Sequence, residues 1–236
     1  METTAVCLLS GGLDSCVATR IAQDQGYSCH TLSFDYGQHH RKELEQAKQI
    51  AKALHVQKHT VFTLDLAQFG GSALFNHHKT VPHTPLQDIG KQIPPTYVPG
   101  RNTIFLTIAL AYAETLQAQA VVIGANSRDY SGYPDCRPEY FQAFQQLANV
   151  ATKQAVEGNP VQILTPLLHL SKAEIIKKGH ALQAPFHLTW SCYQGQKRSC
   201  GNCESCQLRL QGFEEAGIPD PLPYVTYPSW YTLIKK

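Results

Sequence analysis

Two groups of residues in this chain have types and spacings suited to chemistry. The first is Ser10-Gly11-Gly12-Leu13-Asp14-Ser15, set between the apolar stretch Ala5-Val6-Cys7-Leu8-Leu9 and a segment whose apolar periodicity resumes at Val17. Paired glycines let a backbone turn tightly and bring its N–H groups close to a ligand, and the open amides of a following helix N-terminus favour an anion. Ser10 and Ser15 add hydroxyls, so the run suits phosphate; a capped turn would account for Gly11-Gly12 alone, but not for the whole string. The second group is Cys192, Cys200, Cys203 and Cys206, spaced C-x7-C-x2-C-x2-C. Four thiolates complete a closed tetrahedral zinc shell, with an iron–sulfur cluster as the alternative. The polar intervening residues Lys197, Arg198, Asn202 and Glu204 argue against four unrelated core cysteines, whereas Cys7, Cys16, Cys29 and Cys136 stand singly and read as buried small hydrophobes.

The first loop lacks the Lys-Ser/Thr ending of a Walker loop and the G-x-G-x-x-G spacing of dinucleotide folds. Ser-Gly-Gly-x-Asp-Ser resembles the pyrophosphate loop of the PP-loop ATP pyrophosphatase superfamily, whose members adenylate a substrate oxygen and release pyrophosphate.

The elements that must position these residues alternate. A strand ending at Leu9 feeds the loop, and a helix spans about 14–25; strand 28–34 delivers Asp35-Tyr36-Gly37-Gln38-His39, helix 41–54 follows with Leu44, Ala47, Ile50, Ala51 and Leu54 at helical spacing, and 56–64 reads as a third strand. This order predicts an α/β fold with a doubly wound parallel sheet, whose ligands sit beyond the carboxyl ends of the strands, where Ser10 and Asp35-Tyr36-Gly37 both fall. Residues 67–100, with Pro82, Pro85, Pro94, Pro95 and Pro99, read as an insertion or lid; His77, His78 and His83 within it lack partners at ligand spacing and read as solvated. A helix is expected over 103–116, a strand over 120–124, a helix from Pro138 to about Val156, a strand over 161–164, and a helix opened by the capping pattern Ser171-Lys172-Ala173-Glu174. The partition is then a nucleotide-binding α/β domain over 1–185, a C-terminal zinc-binding segment over 186–217 with a helix starting near Cys203, and an extended arm over 218–236 that packs on its own domain or on a partner subunit.

Composition narrows the function class. Of 236 residues, 43% are hydrophobic and 16% charged, a globular composition. The longest apolar run, Thr103 to Ala113, is short of the roughly 20 residues of a membrane span, and Met1 leads almost directly into the first strand, so neither a membrane partner nor a signal peptide is expected. Net charge +2 with scattered Lys and Arg gives no broad nucleic-acid footprint. A zinc module with Lys197, Arg198 and Arg209 nearby admits a nucleic-acid-binding reading, but that leaves the first loop unexplained. Cysteines crowded into one segment fit reduced thiols with a metal in a cytoplasmic protein.

Several strings together resemble one family along nearly the whole chain: Leu9-Ser10-Gly11-Gly12-Leu13-Asp14-Ser15, Phe34-Asp35-Tyr36-Gly37-Gln38, Tyr97-Val98-Pro99-Gly100-Arg101-Asn102-Thr103, Asp129-Tyr130-Ser131-Gly132-Tyr133-Pro134-Asp135-Cys136-Arg137, and Thr189-Trp190-Ser191-Cys192-Tyr193 through Cys206. The family is the 7-cyano-7-deazaguanine synthases of queuosine precursor synthesis. The resemblance implies an ATP-dependent ligase that turns 7-carboxy-7-deazaguanine and ammonia into the nitrile, with Mg2+ and structural Zn2+, as a homodimer requiring no nucleic acid. It places ATP on Leu9, Ser10, Gly11, Gly12, Leu13, Asp14 and Ser15 and zinc on the four clustered cysteines. Asp14 is expected to cap its helix or organise magnesium, and Lys172 to meet the departing pyrophosphate, unless it is an ordinary solvated lysine. A deazaguanine presents ring N–H and exocyclic amine side by side and so asks for a carboxylate; Asp129 and Asp135 are the candidates, with Tyr36, Tyr130 and Tyr133 for stacking and Arg101 and Arg137 for the substrate carboxylate. The alternative is a PP-loop tRNA-modifying enzyme of thiolation type with a Cys-bound metal centre.

Overall fold

A computed structural model describes residues 3–37, 42–69, 93, 97–127, 133–194 and 197–233. Five parallel strands, β1 (Thr4–Leu8), β2 (Ser28–Asp35), β3 (Lys58–Thr63), β4 (Ala120–Val122) and β5 (Gln162–Leu164), lie in the order β3-β2-β1-β4-β5. The central strands have both faces covered. In β1 the side chains of Ala5 and Cys7 enter one core and those of Val6 and Leu8 the other, which is why the strand reads as a continuous apolar run instead of an alternating one.

On the first face lie α1 (Leu13–Asp24), α2 (Lys42–Ala53), α6 (Lys172–Ala181) and α7 (Glu204–Ala216); on the second lie α3 (Arg101–Thr115) and α4 (Pro138–Ala151). Leu44, Ala47, Ile50 and Ala51 of α2 are the buried set expected from their helical spacing. Ser171 caps α6 in a full capping box with Glu174. The single helix expected over 138–156 is instead two, α4 and the short α5 (Lys153–Val156). Thr152 between them is extended (φ −122°, ψ 152°) and its side chain accepts from the Ala155 N–H, so a β-branched residue able to cap a new turn wins over helix continuation.

Strand order reverses on either side of β1, which pairs with β2 and β4. At that switch point the loops after β1 and β4 open a crevice, the usual ligand position in such sheets. The proline-rich stretch is described only at its ends, including a 3-10 turn at Leu66–Phe69, and His77, His78 and His83 lie outside the described residues. The C-terminal arm packs on its own chain: Leu222, Tyr224 and Tyr231 join the core that contains Ala5, α1 and the four clustered cysteines. No helix among the described residues is long and apolar enough to cross a membrane.

Candidate functional site

A cavity of about 280 Å³ opens at the switch point, lined by residues from the ends of β1, β2 and β4, the starts of α1, α2, α3 and α6, and the segment leading to the cysteines. Its phosphate-like end is the loop after β1. The Ser10 N–H donates to Ser15 Oγ at 3.1 Å, the two hydroxyl oxygens lie 3.1 Å apart, and Ser15 Oγ donates to the Gly12 carbonyl at 3.1 Å. Gly12 is the N-cap of α1 and supplies no side-chain cap, so first-turn amides stay available to an anion. Gly11 has φ +90°, and a Cβ there would lie 2.1 Å from the Glu43 carbonyl oxygen; the loop and the start of α2 can touch only because that position is glycine.

Asp14 does not cap the helix, which corrects one of its two expected roles. Both its oxygens lie 2.8 Å from Lys172 Nζ. Lys172 is not a solvated helix lysine either: it is 8% exposed, and its stem runs under α7, where a Cβ on Gly212 would come 2.2 Å from Lys172 Cγ. Lys172 and Asp14 both line the cavity, which sets an ammonium, fixed by its carboxylate partner, beside the Ser10–Ser15 loop.

The other end of the cavity is aromatic and charged. Tyr36, Phe34, Phe105 and Tyr133 line it together with Arg101, Asn102, Glu43 and Cys136. Tyr36 is hydrogen-bonded to Arg101, and burial pushes its hydroxyl above the ordinary range despite the opposing charge of Arg101. Burial also pushes Glu43 up to about 7, with Arg101 drawing it back down. The Cys136 thiol is pushed up to about 11, first by burial and then by the Asp135 carboxylate, so it stays protonated near neutrality and is a poor nucleophile.

The structure separates the remaining expected residues. Asp135 is buried beside the chamber and faces the backbone: its Oδ2 accepts from the Asn102 N–H at 3.1 Å, and its carbonyl accepts from Asn102 Nδ2 at 3.1 Å. It fixes the first turn of α3, and hence Arg101, and is not among the lining residues. Arg137 is exposed at the N-cap of α4 and also lies off the cavity wall. Asp129 and Tyr130 lie outside the described residues. Glu43, Asn126 and Cys136 are wall residues that the sequence reading did not single out as site residues; Asn126 could have been found as the polar residue closing a buried strand, Glu43 only from the packing of α2 on the loop.

The four clustered cysteines are buried, and their sulfurs all lie within 4.8 Å of one another, with Cys200 and Cys206 3.8 Å apart. Tetrahedral zinc with bonds of about 2.3 Å would set sulfurs about 3.8 Å apart, so the donor set fits the metal. Backbone N–H groups of Gln194 and Cys200 point at Cys192 Sγ at 3.4 and 3.3 Å, and that of Cys203 points at Cys200 Sγ at 3.3 Å; such donors favour thiolates. Behind the cluster, Arg209 makes a bidentate pair with Asp220 at 2.7 and 3.0 Å and donates to Thr189 Oγ1 at 2.7 Å. Tyr224 donates to the same carboxylate at 2.7 Å, tying the arm to α7.

Comparison with known proteins gives a consistent set of similarities. The family described as "Queuosine biosynthesis protein QueC" matches residues 4–217. A protein of Alcanivorax borkumensis named 7-cyano-7-deazaguanine synthase is 54% identical over 222 residues, which cover 93% of this chain and 98% of the relative. One of the same name from Thermosynechococcus vestitus is 51% identical over 231 residues, covering 97% and 99%. Among solved structures, a 4-thiouridine synthetase in complex with RNA and ATP aligns with a TM-score of 0.52 at 17% identity over 91% of this chain and 50% of that one, a likeness of fold alone.

Proposed function

The chain belongs to this queuosine biosynthesis family, whose curated members are named 7-cyano-7-deazaguanine synthases, and from that premise we propose that it is an ATP-dependent ligase making 7-cyano-7-deazaguanine from the 7-carboxy compound and ammonia. The observation that carries the reading is one cavity joining the Ser10–Ser15 loop and Lys172 to a chamber walled by Tyr36, Tyr133 and Arg101, so nucleotide and base can meet without either leaving the site.

A carboxylate resists attack by ammonia until one oxygen becomes part of a leaving group. The substrate carboxylate attacks the α-phosphorus of ATP and pyrophosphate leaves; the Ser10 and Ser15 hydroxyls and the open amides of α1 receive its charge, and Lys172 adds a cation held in place by Asp14. Ammonia then attacks the acyl carbon, AMP departs, and the nitrogen loses a proton to give the amide. The amide oxygen attacks the α-phosphorus of a second ATP in the same loop and pyrophosphate leaves again; loss of AMP with the two remaining N–H protons then leaves the nitrile. No covalent nucleophile is called for, since the steps need positioning and charge stabilisation. Magnesium would supply charge neutralisation to the phosphates; Asp14 is the carboxylate beside the loop, and both its oxygens are held by Lys172 at 2.8 Å. Cys192, Cys200, Cys203 and Cys206 would hold zinc, which would supply folding energy and no chemistry. Tyr36 and Tyr133 hold the ring and Arg101 meets one of its oxygens.

The chemistry is that of a cytoplasmic enzyme with reduced cysteines. Exposed Leu147, Val150 and Val156 on α4 and α5 offer apolar surface for a second copy in a homodimer. The family match and relatives named 7-cyano-7-deazaguanine synthase support the small-molecule reading over a tRNA thiolation enzyme with a Cys-bound metal centre. Incubation with ATP, magnesium, ammonium and 7-carboxy-7-deazaguanine tests the proposal by mass spectrometry: AMP and nitrile should form, with about two ATP consumed from the acid and about one from the amide. ADP as the nucleotide product would rule out adenylation.

A further inference from the structure

The charges in the cavity wall can be counted off one by one. Among the described lining residues the acids are Asp14 and Glu43 and the strong bases Arg101, Lys172 and Arg209. Asp14 is consumed by Lys172, which takes both its oxygens at 2.8 Å. Arg209 is consumed by Asp220, outside the wall. That leaves Glu43 and Arg101, on the first turns of α2 and α3, as the acid and base of the wall not spent on an ion pair; Arg101 donates from Nε and Nη2 to Asn102 Oδ1 at 3.3 Å and bonds to Tyr36, and its charge acts on Glu43.

Asp135, one of the two carboxylates expected to read the base, is not on the cavity wall: its Oδ2 accepts from the Asn102 N–H at 3.1 Å, while its buried Oδ1 has no hydrogen-bond partner among the described residues. A guanine-type ring shows one carbonyl oxygen next to two kinds of donor, the ring N–H and the exocyclic amine. A guanidinium beside a carboxylate presents the complementary order, donors next to acceptors. The aromatic side chains of Tyr36, Phe105 and Tyr133 on the same wall suit a flat ring.

Resting on the deazaguanine reading above, we infer that the Glu43 carboxylate is the acceptor for the ring N–H and exocyclic amine of the substrate, with Arg101 donating to the adjacent carbonyl, and that Glu43 therefore sets specificity for a 2-amino base. The pyrrole ring bearing the reacting carboxylate is the opposite end of the base from that amine, so this orientation leaves it free to face the nucleotide. Burial holds the Glu43 carboxyl up at about 7 in the absence of ligand, and two N–H donors from a base would favour its charged form. The Glu43 backbone touches the loop at Gly11, so side-chain replacement alters the acceptor without altering that contact.

The test is calorimetric binding of 7-cyano-7-deazaguanine and of the same compound lacking the exocyclic amine, to wild type and to Glu43→Gln, with ATP binding as the check on folding. Wild type should prefer the amine-bearing base by about 10- to 100-fold, the range for hydrogen bonds to a charged group. Glu43→Gln should bind ATP as wild type does and bind the two bases within a few-fold of each other. A preference retained in Glu43→Gln overturns the assignment, even if turnover is lost, because Glu43 would then act on the reaction and not on the amine. A wild-type ratio near one also overturns it. Wild type that binds neither base overturns the functional reading itself. Where Glu43→Gln does not fold, Glu43→Asp carries the test, since drawing the acceptor back by one methylene must lower the ratio and an unchanged ratio rejects the role.

Discussion

The backbone N–H of Trp190 donates to the carbonyl oxygen of Gly11 at 2.9 Å. The segment that leads into the cysteine cluster is thus bonded to the phosphate loop, and Trp190, Ser191, Tyr193 and Ser205 continue from it into the cavity wall. Lys42, at the start of α2, lies 3.2 Å over the Trp190 ring centroid and donates to the Lys197 carbonyl at 3.1 Å, closing the ring of contacts around the loop.

Metal removal should therefore weaken nucleotide binding as well as lower the melting temperature. Elemental analysis should find about one zinc per chain, and chelation should reduce ATP affinity in step with metal lost. Metal-free protein that stays folded and binds ATP with unchanged affinity would show that the cluster supports only the chain end.

Ser10→Ala should abolish turnover and weaken ATP binding while leaving metal content intact, because the hydrogen-bond partners of Ser10 Oγ, the Gly12 N–H at 3.3 Å and Ser15 Oγ at 3.1 Å, both belong to the loop. Steady-state kinetics with metal analysis checks it, and unchanged turnover would remove the loop from the chemistry.

Lys172→Met should cost more than Lys172→Arg in turnover, since the cation is lost in one and kept in the other. It should also leave Asp14 in a partly buried position with no counter-charge, destabilising the fold by about 1–3 kcal/mol. Asp14→Asn in the same background should recover part of that stability but none of the turnover. Denaturant titration of the two single variants and the double variant measures the coupling, and additive effects would mean the pair is not a unit.

The parallel sheet, the loop, the capping box of α6 and the metal donor set were legible because each is written in short-range sequence: apolar runs, paired glycines, Ser171 with Glu174, cysteines two residues apart. What was not legible depends on the chain returning to itself. Lys172 and Asp14 are 158 residues apart, and no local pattern distinguishes Lys172 from a solvated helix lysine. Asp135 has the right type for base recognition, but the fold sets it behind the cavity wall with one oxygen on the Asn102 N–H, a tertiary placement. Glu43 sits in a helix whose periodicity identifies Leu44 and Ala47 as buried and says nothing of the cavity that Glu43 lines. The arm's side of attachment was equally hidden, since it is decided by Asp220 meeting Arg209 and Tyr224.

That arm supplies a stability prediction away from the chemistry. Asp220→Ala leaves the Arg209 guanidinium buried without a counter-charge, with Thr189 Oγ1 and the Phe186 carbonyl as its remaining hydrogen-bond partners among the described residues and the Phe213 ring beneath it, and breaking a buried pair on one side costs about 3–5 kcal/mol. The melting temperature should fall steeply, with the arm lost first to limited proteolysis. A loss within a few tenths of a kcal/mol would mean that apolar packing of Leu222, Tyr224 and Tyr231 alone holds the arm.

Glu43 gives a pH dependence whose sign follows from its environment. Burial raises its carboxyl from 4.5 to about 7 in the folded chain, with Arg101 opposing the rise. The folded state therefore holds a proton that the unfolded state releases between those values, so the stability linked to Glu43 is fully present below about 4.5 and is lost as pH rises through about 7. Glu43→Gln, which cannot ionise, should gain stability over wild type as pH is raised from 5 to 8. Thermal denaturation of the ligand-free proteins across that range checks the crossing, and a difference between them that does not change with pH would show that the side chain ionises as freely in the cavity as in water. Bound deazaguanine should reverse the trend, because an acceptor engaged by two N–H donors is stabilised as the carboxylate, and the wild-type protein should then gain more from ligand at pH 8 than at pH 5.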